Sequence, residues 1–254
     1  ALWAAQPLLR RKLSQRAKAE PLYGEYVEER FGVYTSPRAV PAAGAETSPL
    51  IWLHTVSLGE TRAAAVLVEA LRAQLPGMRL LLTHGTATGR AAGTSLLRAG
   101  DVQVWQPWDT VGAARRFLTH FQPTVGLLME TEVWPNLVAE CARASVPLCL
   151  VNARMSEKSL RKAQRLAWLA RPAYRALRAV WAQAEADALR LRQLGAPVQG
   201  VMGNFKFDLN PDALQLAKGQ AWRSQTDKPV LMFASLREGE DAMLVEFFKR
   251  NRPL

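Results

Sequence analysis

Three charged residues, Glu60, Glu130 and Lys206, each stand just beyond a short apolar run of the sequence. A glutamate in such a place can accept a proton from a hydroxyl group, and a lysine can balance the charge of an anionic substrate. Plainer roles are also open, because an acidic residue at the start of a helix stabilises the helix dipole and a single lysine can be a solvated surface charge. Proton transfer at an anionic ligand is the chemistry that these residue types suggest.

Small and polar residues around these positions are candidates for substrate binding. They are Ser57, Gly59, Thr86, Glu132, Asn152 and Arg154. Gly59 is expected to let the chain turn tightly before Glu60. Residues 84–89 offer small side chains and free backbone N–H groups to a phosphate or a sugar, although an ordinary capped turn is the plainer explanation of this segment.

Metal-ligating residues are scarce, with two cysteines and three histidines in 254 residues. No Cys/His spacing suggests zinc, and no metal site is predicted. Cys141 falls in a helical pattern and Cys149 in a strand pattern, so both are expected to be small core residues. A reducing, cytoplasmic setting fits this cysteine usage.

Seven short apolar runs, separated by segments of helical length, must position these side chains. The predicted strands are Leu50–Val56, Met78–Thr83, Val102–Trp105, Thr124–Met129, Pro147–Val151, Ala179–Gln183 and Val198–Met202. Residues 61–75 carry apolar side chains on one helical face. Apolar strands that alternate with helices indicate a parallel sheet covered on both faces, a Rossmann-like α/β domain. Ligands of such sheets bind beyond the carboxyl ends of the strands, where the candidate residues stand.

The pattern divides the chain into four segments. Residues 1–46 are expected to form a basic, membrane-proximal segment, 47–208 the Rossmann-like domain, 209–227 a connector, and 228–254 the start of a second domain. That second domain is predicted to open with a strand at Pro229–Ala234. No apolar stretch approaches the roughly 20 residues that span a bilayer. Both ends look cut, so a shortened chain is expected.

The formal net charge of +11 favours an anionic partner, such as nucleic acid, an acidic membrane surface or a phosphorylated substrate. Residues 157–180 concentrate the cations and interleave them with leucine and aromatic residues. Pro172 is expected to divide this segment into two helices. Either its Leu/Trp face packs on the sheet beneath solvated cations, or the segment docks on anionic lipid.

Several motifs together resemble one family. They are Glu29-Arg30-Phe31-Gly32, Thr55-Val56-Ser57-Leu58-Gly59-Glu60-Thr61, Met129-Glu130-Thr131-Glu132-Val133-Trp134-Pro135-Asn136, Asn152-Ala153-Arg154-Met155-Ser156, Asn204-Phe205-Lys206-Phe207-Asp208 and Ser235-Leu236-Arg237-Glu238-Gly239-Glu240. In this order and spacing they resemble the signatures of the 3-deoxy-D-manno-octulosonic acid (Kdo) transferases of lipopolysaccharide synthesis. Leu236 stands where that family often has Thr, and Phe205 where it often has Leu.

The resemblance implies the acceptor-side, N-terminal half of a GT-B glycosyltransferase. It implies transfer of Kdo from CMP-Kdo to a lipid A precursor with inversion, at the cytoplasmic face of the bacterial inner membrane. Glu60 would be the general base, with Glu130 and Lys206 supporting the transition state. The substrate-binding set would extend to Ser235, Glu238 and Gly239. No cofactor and no nucleic acid partner is implied.

CMP-Kdo would bind chiefly to a second domain that is mostly absent here, so the chain alone is expected to be inactive. Two other classes stay open. One is another GT-B nucleotide-sugar enzyme, such as an epimerase, with the same fold and different motifs. The other is a non-catalytic basic module that binds lipid or another polyanion.

Overall fold

A computed structural model describes residues 6–37, 48–209, 211 and 213–251. The chain divides into two units, Ala1–Leu209 and Asn210–Leu254, and each is described by itself. Residues 1–5 and 38–46 of the predicted N-terminal segment, and residue 47 of the predicted Rossmann-like domain, lie outside the described residues.

Seven apolar segments form one parallel sheet in the first unit. The strands are Leu50–Thr55 (β1), Arg79–His84 (β2), Val102–Trp105 (β3), Val125–Met129 (β4), Leu148–Ala153 (β5), Ala179–Ala182 (β6) and Val198–Val201 (β7). They lie in the order β3-β2-β1-β4-β5-β6-β7. In the central register Leu53 of β1 is opposite Leu82 of β2 and Leu127 of β4. Sheets buried on both faces require such apolar strands, and the predicted strands are confirmed within two residues at each end.

Helices connect the strands. They are Gln6–Ala17 (α1), Leu58–Gln74 (α2), Ala87–Gly93 (α3), Val111–Phe121 (α4), Pro135–Arg143 (α5), Glu157–Arg165 (α6), Ala167–Arg175 (α7) and Glu185–Gln193 (α8). Short 3₁₀ turns lie at Pro21–Gly24, Val27–Phe31, Thr94–Leu96 and Phe205–Asp208. One core cluster joins the sheet to α4–α8, and a second joins its other face to α2 and Phe205. The Rossmann-like fold is confirmed.

The strand order reverses between β1 and β4. From β1 the chain moves outward to β2 and β3, and from β4 it moves the other way to β5, β6 and β7. At such a switch point the loops after the two central strands diverge and leave a crevice that ligands occupy. Glu60 follows β1 and Glu130 follows β4, so the fold brings these two carboxylates to opposite sides of the crevice.

In the first unit, the expectation for the cysteines is confirmed, and the expected position of the helix break is wrong. Cys141 and Cys149 are buried free thiols, as expected. Pro172 does not divide the basic segment, because the break lies at Leu166, whose backbone leaves the helical region (φ −112°, ψ 38°). Helix α7 continues through Pro172, since the Ala176 N–H donates to the Pro172 carbonyl at 3.0 Å.

The second unit contains two helices, Ala213–Ser224 (α9) and Glu240–Arg250 (α10), within its described residues. The predicted strand at Pro229–Ala234 is wrong, because these residues have no regular structure. A strand needs a neighbour to accept its backbone hydrogen bonds, and no described segment of this unit supplies one. The side chains of Leu231, Met232 and Phe233 are accordingly exposed.

None of the helices in the described ranges combines the length and the hydrophobicity that a bilayer crossing requires.

Candidate functional site

Glu60 lies in the first turn of α2, just beyond the carboxyl end of β1. Ser57 caps this helix, and its hydroxyl oxygen accepts a hydrogen bond from the Glu60 N–H at 3.3 Å. The same hydroxyl donates to Glu60 Oε1 at 3.1 Å, and the Val56 N–H donates to Glu60 Oε2 at 2.8 Å. Each carboxylate oxygen has a second lone pair, so the carboxylate can still accept a proton from a ligand.

The pKa of Glu60 is raised above its ordinary value because the side chain is largely removed from water. Hydrogen bonds from Val56 and Ser57 partly offset this rise, and the nearby charges of Glu130 and Glu132 add to it. A raised pKa makes the carboxylate a stronger base, which suits proton abstraction from a hydroxyl group.

Lys206 and Glu130 form an ion pair across the crevice. Lys206 Nζ donates to Glu130 Oε1 at 3.1 Å, and the Lys206 side chain is 46% exposed against 13% for Glu130. A Cβ built on Gly59 would lie 3.9 Å from Lys206 Cε, so the lysine passes beside the first turn of α2. The three predicted catalytic residues are therefore neighbours, with the ammonium group open to solvent.

Gly59 does not make the predicted turn. It lies inside α2, and its φ is not positive. The helix begins at Leu58 because Ser57 supplies the cap, which makes a special glycine conformation unnecessary. A Cβ at Gly59 would make only ordinary contacts, with Lys206 Cε at 3.9 Å and with the Ser57 hydroxyl oxygen at 4.0 Å.

At the end of β5, Asn152 is buried and Arg154 is exposed. Asn152 is 1% exposed, and its Oδ1 accepts the Phe205 N–H at 3.2 Å. It therefore holds the segment that carries Lys206, and its contact with a substrate stays a prediction. Arg154 is exposed, and its N–H donates to the Glu130 carbonyl at 3.1 Å. Within the described part of the chain its guanidinium has no ion-pair partner.

Glu132 is held by its neighbours in the loop after β4. Its Oε2 accepts the Trp134 indole N–H at 2.8 Å, and its Oε1 accepts the Thr131 hydroxyl at 3.2 Å. Burial raises the pKa of Glu132, while these two hydrogen bonds lower it. Its substrate contact stays a prediction.

The 84–89 segment is the capped turn that the plainer interpretation described. Thr86 caps α3, and its hydroxyl donates to the Val56 carbonyl at 2.7 Å while accepting the Gly89 N–H at 3.2 Å. These bonds use the only proton of the hydroxyl, so Thr86 has none to donate to a sugar.

Ser235, Glu238 and Gly239 lie in the second unit. Ser235 (φ 61°) and Gly239 (φ 88°) both adopt left-handed backbone conformations, and Gly239 directly precedes α10. All three are exposed, and their role in substrate binding stays a prediction.

A buried hydrogen-bond chain beneath the site was not predicted from the sequence. The Gln103 amide nitrogen lies 2.9 Å from His84 Nε2, and His84 Nδ1 lies 3.0 Å from the Thr55 hydroxyl. Thr55 then contacts the Thr61 hydroxyl at 2.9 Å, and Thr61 donates to the Ser57 carbonyl at 2.9 Å. These hydrogen bonds connect side chains of β3, β2 and β1 to Ser57, the N-cap residue of α2.

Arg30 was also missed as a structural residue, although it belongs to the Glu29–Gly32 motif. It is 5% exposed, and its guanidinium donates to the carbonyls of Gly85 at 2.9 Å and His84 at 3.4 Å. The guanidinium carbon lies 4.1 Å from the centroid of the Trp105 ring, and burial lowers the pKa of Arg30 to about 10. Two adjacent charges beside Phe31 and Gly32 were the signal for such a buried contact.

Among the described residues, no group of three or more His, Cys, Asp or Glu side chains is arranged to hold a metal ion.

Comparison of the sequence with known protein families shows which family the chain belongs to. The profile of the N-terminal region of 3-deoxy-D-manno-octulosonic-acid transferase (kdotransferase) matches residues 25–209, which contain Glu60, Glu130 and Lys206. The chain belongs to the Kdo transferase family. Membership covers the Rossmann-like unit, from just before the Glu29–Gly32 motif to the end of the segment that carries Lys206.

Curated Kdo transferases align with nearly the whole chain. The 3-deoxy-D-manno-octulosonic acid transferase of Bordetella pertussis is 47% identical over 226 residues, which cover 87% of this chain and 51% of that protein. The Haemophilus influenzae transferase is 28% identical over 249 residues, which cover 96% of this chain and 57% of that protein. The chain thus spans about half the length of these relatives.

Solved structures with a related shape include UDP-GlcNAc 2-epimerase from Neisseria meningitidis bound to UDP-GlcNAc. It shares 13% sequence identity with this chain at a TM-score of 0.45, over 69% of this chain and 51% of that one.

Proposed function

We propose that this chain is the acceptor-side half of a GT-B enzyme that transfers Kdo from CMP-Kdo to a lipid A precursor with inversion. The observation that carries the proposal is the position of Glu60, a partly buried carboxylate with a raised pKa beside the switch-point crevice. Membership of the Kdo transferase family supports a glycosyltransferase for Kdo.

The reaction requires two bond changes at the anomeric carbon and one proton transfer. An acceptor hydroxyl oxygen forms a bond to the anomeric carbon, the bond from that carbon to the phosphate oxygen breaks, and CMP leaves with the electron pair. Glu60 takes the proton of the hydroxyl. The sugar ring passes through an oxocarbenium-like state, as in other glycosyl transfers.

Lys206 and Glu130 are suited to the charges of this transition state. The Lys206 ammonium is 46% exposed, so it remains accessible to the carboxylate of Kdo or the phosphate of CMP while paired with Glu130. Glu130 fixes the position of the lysine, and its negative charge stabilises the positive charge that develops on the sugar ring. Arg154 offers a further unpaired cation at the same edge.

A membrane surface is the proposed partner of α6 and α7. Seven cations of this segment are exposed: Lys158, Arg161, Lys162, Arg165, Arg171, Arg175 and Arg178. Trp168 is 76% exposed and Leu166 is 51% exposed, so this part of the apolar face does not pack on the sheet. Exposed aromatic and leucine side chains among cations suit the headgroup layer of an anionic bilayer, where a lipid A precursor would reside.

The direct test is an assay with CMP-Kdo and tetra-acylated lipid A precursor. The assay uses a two-domain enzyme, meaning residues 1–254 joined to the second half that the curated relatives carry. Mass spectrometry is expected to show one added Kdo residue per acceptor, and none when CMP-Kdo is omitted. A parallel reaction contains UDP-GlcNAc, and epimerisation of that nucleotide sugar without Kdo transfer would favour an epimerase. General binding of polyanions, without any transfer, would favour a non-catalytic module.

A further inference from the structure

The loop that carries Glu60 is fastened to the neighbouring loop after β2 through one residue, Thr86. Two groups of Thr86 converge on the Val56 carbonyl: the backbone N–H at 3.0 Å and the side-chain hydroxyl at 2.7 Å. Val56 in turn donates its own N–H to Glu60 Oε2 at 2.8 Å. Val56 is therefore held by Thr86 at one end and holds the Glu60 carboxylate with the other.

The same two loops are in close steric contact. A Cβ on Gly85 would meet Val56 Cγ1 at 2.8 Å, and a Cβ on Gly89 would meet the Val56 carbonyl oxygen at 2.7 Å. Only glycine lets the backbone of the β2–α3 segment approach Val56 this closely. The Thr86 hydroxyl lies at the centre of this contact and, together with the Thr86 N–H, sets the spacing of the two loops.

The geometry points to Thr86 as a positioning residue for the reaction, which keeps the Val56 N–H aimed at the Glu60 carboxylate. This inference rests on the proposed function, since it requires Glu60 to be the base. This role differs from the sequence-based expectation that Thr86 binds the sugar. The hydroxyl is committed to Val56 and Gly89, so its effect on transfer passes through the backbone.

Removal of the Thr86 hydroxyl is expected to raise the pKa of Glu60. A hydrogen bond to the charged form of a carboxylate lowers its pKa, and the Val56 N–H makes such a bond to Glu60. Without the hydroxyl only the Thr86 N–H holds the Val56 carbonyl, so Val56 is less firmly fixed. Its hydrogen bond to Glu60 then weakens, and the pKa of Glu60 rises further. The other charged groups near Glu60 are Glu130, Glu132 and Lys206, and a change at Thr86 leaves them in place.

The test compares pH–rate profiles in the two-domain enzyme. Thr86→Val keeps the shape of the side chain and removes the hydroxyl, and Thr86→Ala removes it in a second way. Both are expected to lower kcat by roughly 10- to 100-fold, the cost of a slightly misplaced catalytic group, and to move the acidic limb of kcat/KM to higher pH. KM should change little. Thr86→Ser restores the hydroxyl and should restore the parent profile.

A matched control separates positioning from the loss of a helix cap. Thr110 caps α4 through its hydroxyl, which accepts the Ala113 N–H at 3.2 Å, as Thr86 caps α3. Thr110→Val should cost similar stability, about 1 kcal/mol as expected for a lost cap, and leave the pH profile unchanged. The inference is overturned if Thr86→Val keeps the parent profile, or if Thr110→Val shifts it equally.

Glu60→Gln distinguishes failure of the inference from failure of the proposed function. If Glu60→Gln is inactive while Thr86→Val retains the parent profile, Glu60 is the base and Thr86 does not position it. If Glu60→Gln transfers Kdo normally, Glu60 is not the base and the inference loses its premise. If the parent two-domain enzyme transfers no Kdo, the proposed function itself fails.

Discussion

Lys206 Nζ lies 3.1 Å from Glu130 Oε1, although 76 residues separate the two along the chain. The pair joins the loop after β4 to the 3₁₀ turn after β7, and Asn152 holds that turn from beneath through the Phe205 N–H. An ion pair this exposed contributes little to stability, with a typical value of 0–1 kcal/mol. Its position beside Glu60 therefore points to a role in transfer.

Lys206→Met in the two-domain enzyme is expected to lower kcat/KM by about 10²–10³-fold, because a donor that stabilises transition-state charge is lost. The free energy of unfolding should change by less than about 1 kcal/mol. Steady-state kinetics and urea unfolding measure the two effects. Arg192→Met is the matched control, since Arg192 forms a 3.0 Å surface pair with Glu185. Equal losses of activity in both variants would contradict the role of Lys206.

Two glycine substitutions are expected to have opposite effects on stability. Gly59 lies in α2 without positive φ, and its Cβ would have only ordinary contacts, so Gly59→Ala should raise the free energy of unfolding by about 0.5 kcal/mol. Gly32 has φ 78°, and its Cβ would lie 2.7 Å from the Ala113 carbonyl oxygen. Gly32→Ala should therefore lower the free energy of unfolding by about 2 kcal/mol or more. Urea unfolding of both variants checks the contrast, and a stabilised Gly32→Ala would contradict it.

Two buried histidines should make stability depend on pH. Burial lowers the pKa of His54 and of His84 to about 3, from an ordinary value of 6.5. Below about pH 6.5 the two histidines become protonated in the unfolded chain but stay neutral in the folded chain. The free energy of unfolding should therefore fall as pH falls, by up to about 1.4 kcal/mol per pH unit for each histidine, and the loss continues until the folded pKa is reached.

Urea unfolding between about pH 6.5 and about pH 5 measures this slope above the range in which carboxylates dominate. His84→Gln should remove close to half of the slope, whatever it does to the absolute stability. An unchanged slope in both His84→Gln and His54→Gln would show that neither histidine is buried in its neutral form.

Charge reversal in α6 should release the protein from anionic vesicles. Each Lys or Arg near such a surface contributes roughly 1 kcal/mol, so Arg161→Glu, Lys162→Glu and Arg165→Glu together should weaken sedimentation strongly at low salt. Binding to neutral vesicles should change little, and the difference should shrink as the Debye length falls with added salt.

Two further variants sharpen the vesicle experiment. Reversal of three exposed cations elsewhere, Arg62, Arg98 and Arg192, is the control of equal charge. Trp168→Ser tests the apolar contribution and should weaken binding without loss of stability, because the ring is 76% exposed. If the α6 variant and the control sediment alike, nonspecific charge explains binding and the membrane role of α6 and α7 is wrong.

The sheet could be predicted from the sequence because its central strands β1, β2, β4 and β5 are apolar enough to be buried on both faces. The strand at Pro229–Ala234 had the same local pattern and did not form, since pairing depends on neighbours that a local pattern does not reveal. The break at Leu166 was missed for a related reason. Pro172 is the residue whose type indicates a helix break, whereas the backbone leaves the helical conformation at Leu166, six residues earlier.

The candidate site was predictable in its location and less so in its assignments. Glu60, Glu130 and Lys206 could be found because topology brings the carboxyl ends of parallel strands together. Thr86 and Asn152 stand in equivalent positions, and sequence could not show that the Thr86 hydroxyl and the Asn152 Oδ1 bond the backbone of other segments. Side-chain hydrogen bonds to the backbone depend on distances between loops, which spacing along the chain does not contain.

The central claim is that Glu60 is the general base. Glu60→Gln keeps the shape of the side chain and can still accept a hydrogen bond, but the amide cannot take the proton of the acceptor hydroxyl. Single-turnover transfer of Kdo from CMP-Kdo by the two-domain enzyme should therefore fall by about 10²–10⁴-fold, with an unchanged melting temperature. Glu69→Gln, at an exposed position of the same helix, should transfer at the parent rate. Transfer by Glu60→Gln at the rate of Glu69→Gln would contradict the account and return Glu60 to the role of a helix-terminal acid.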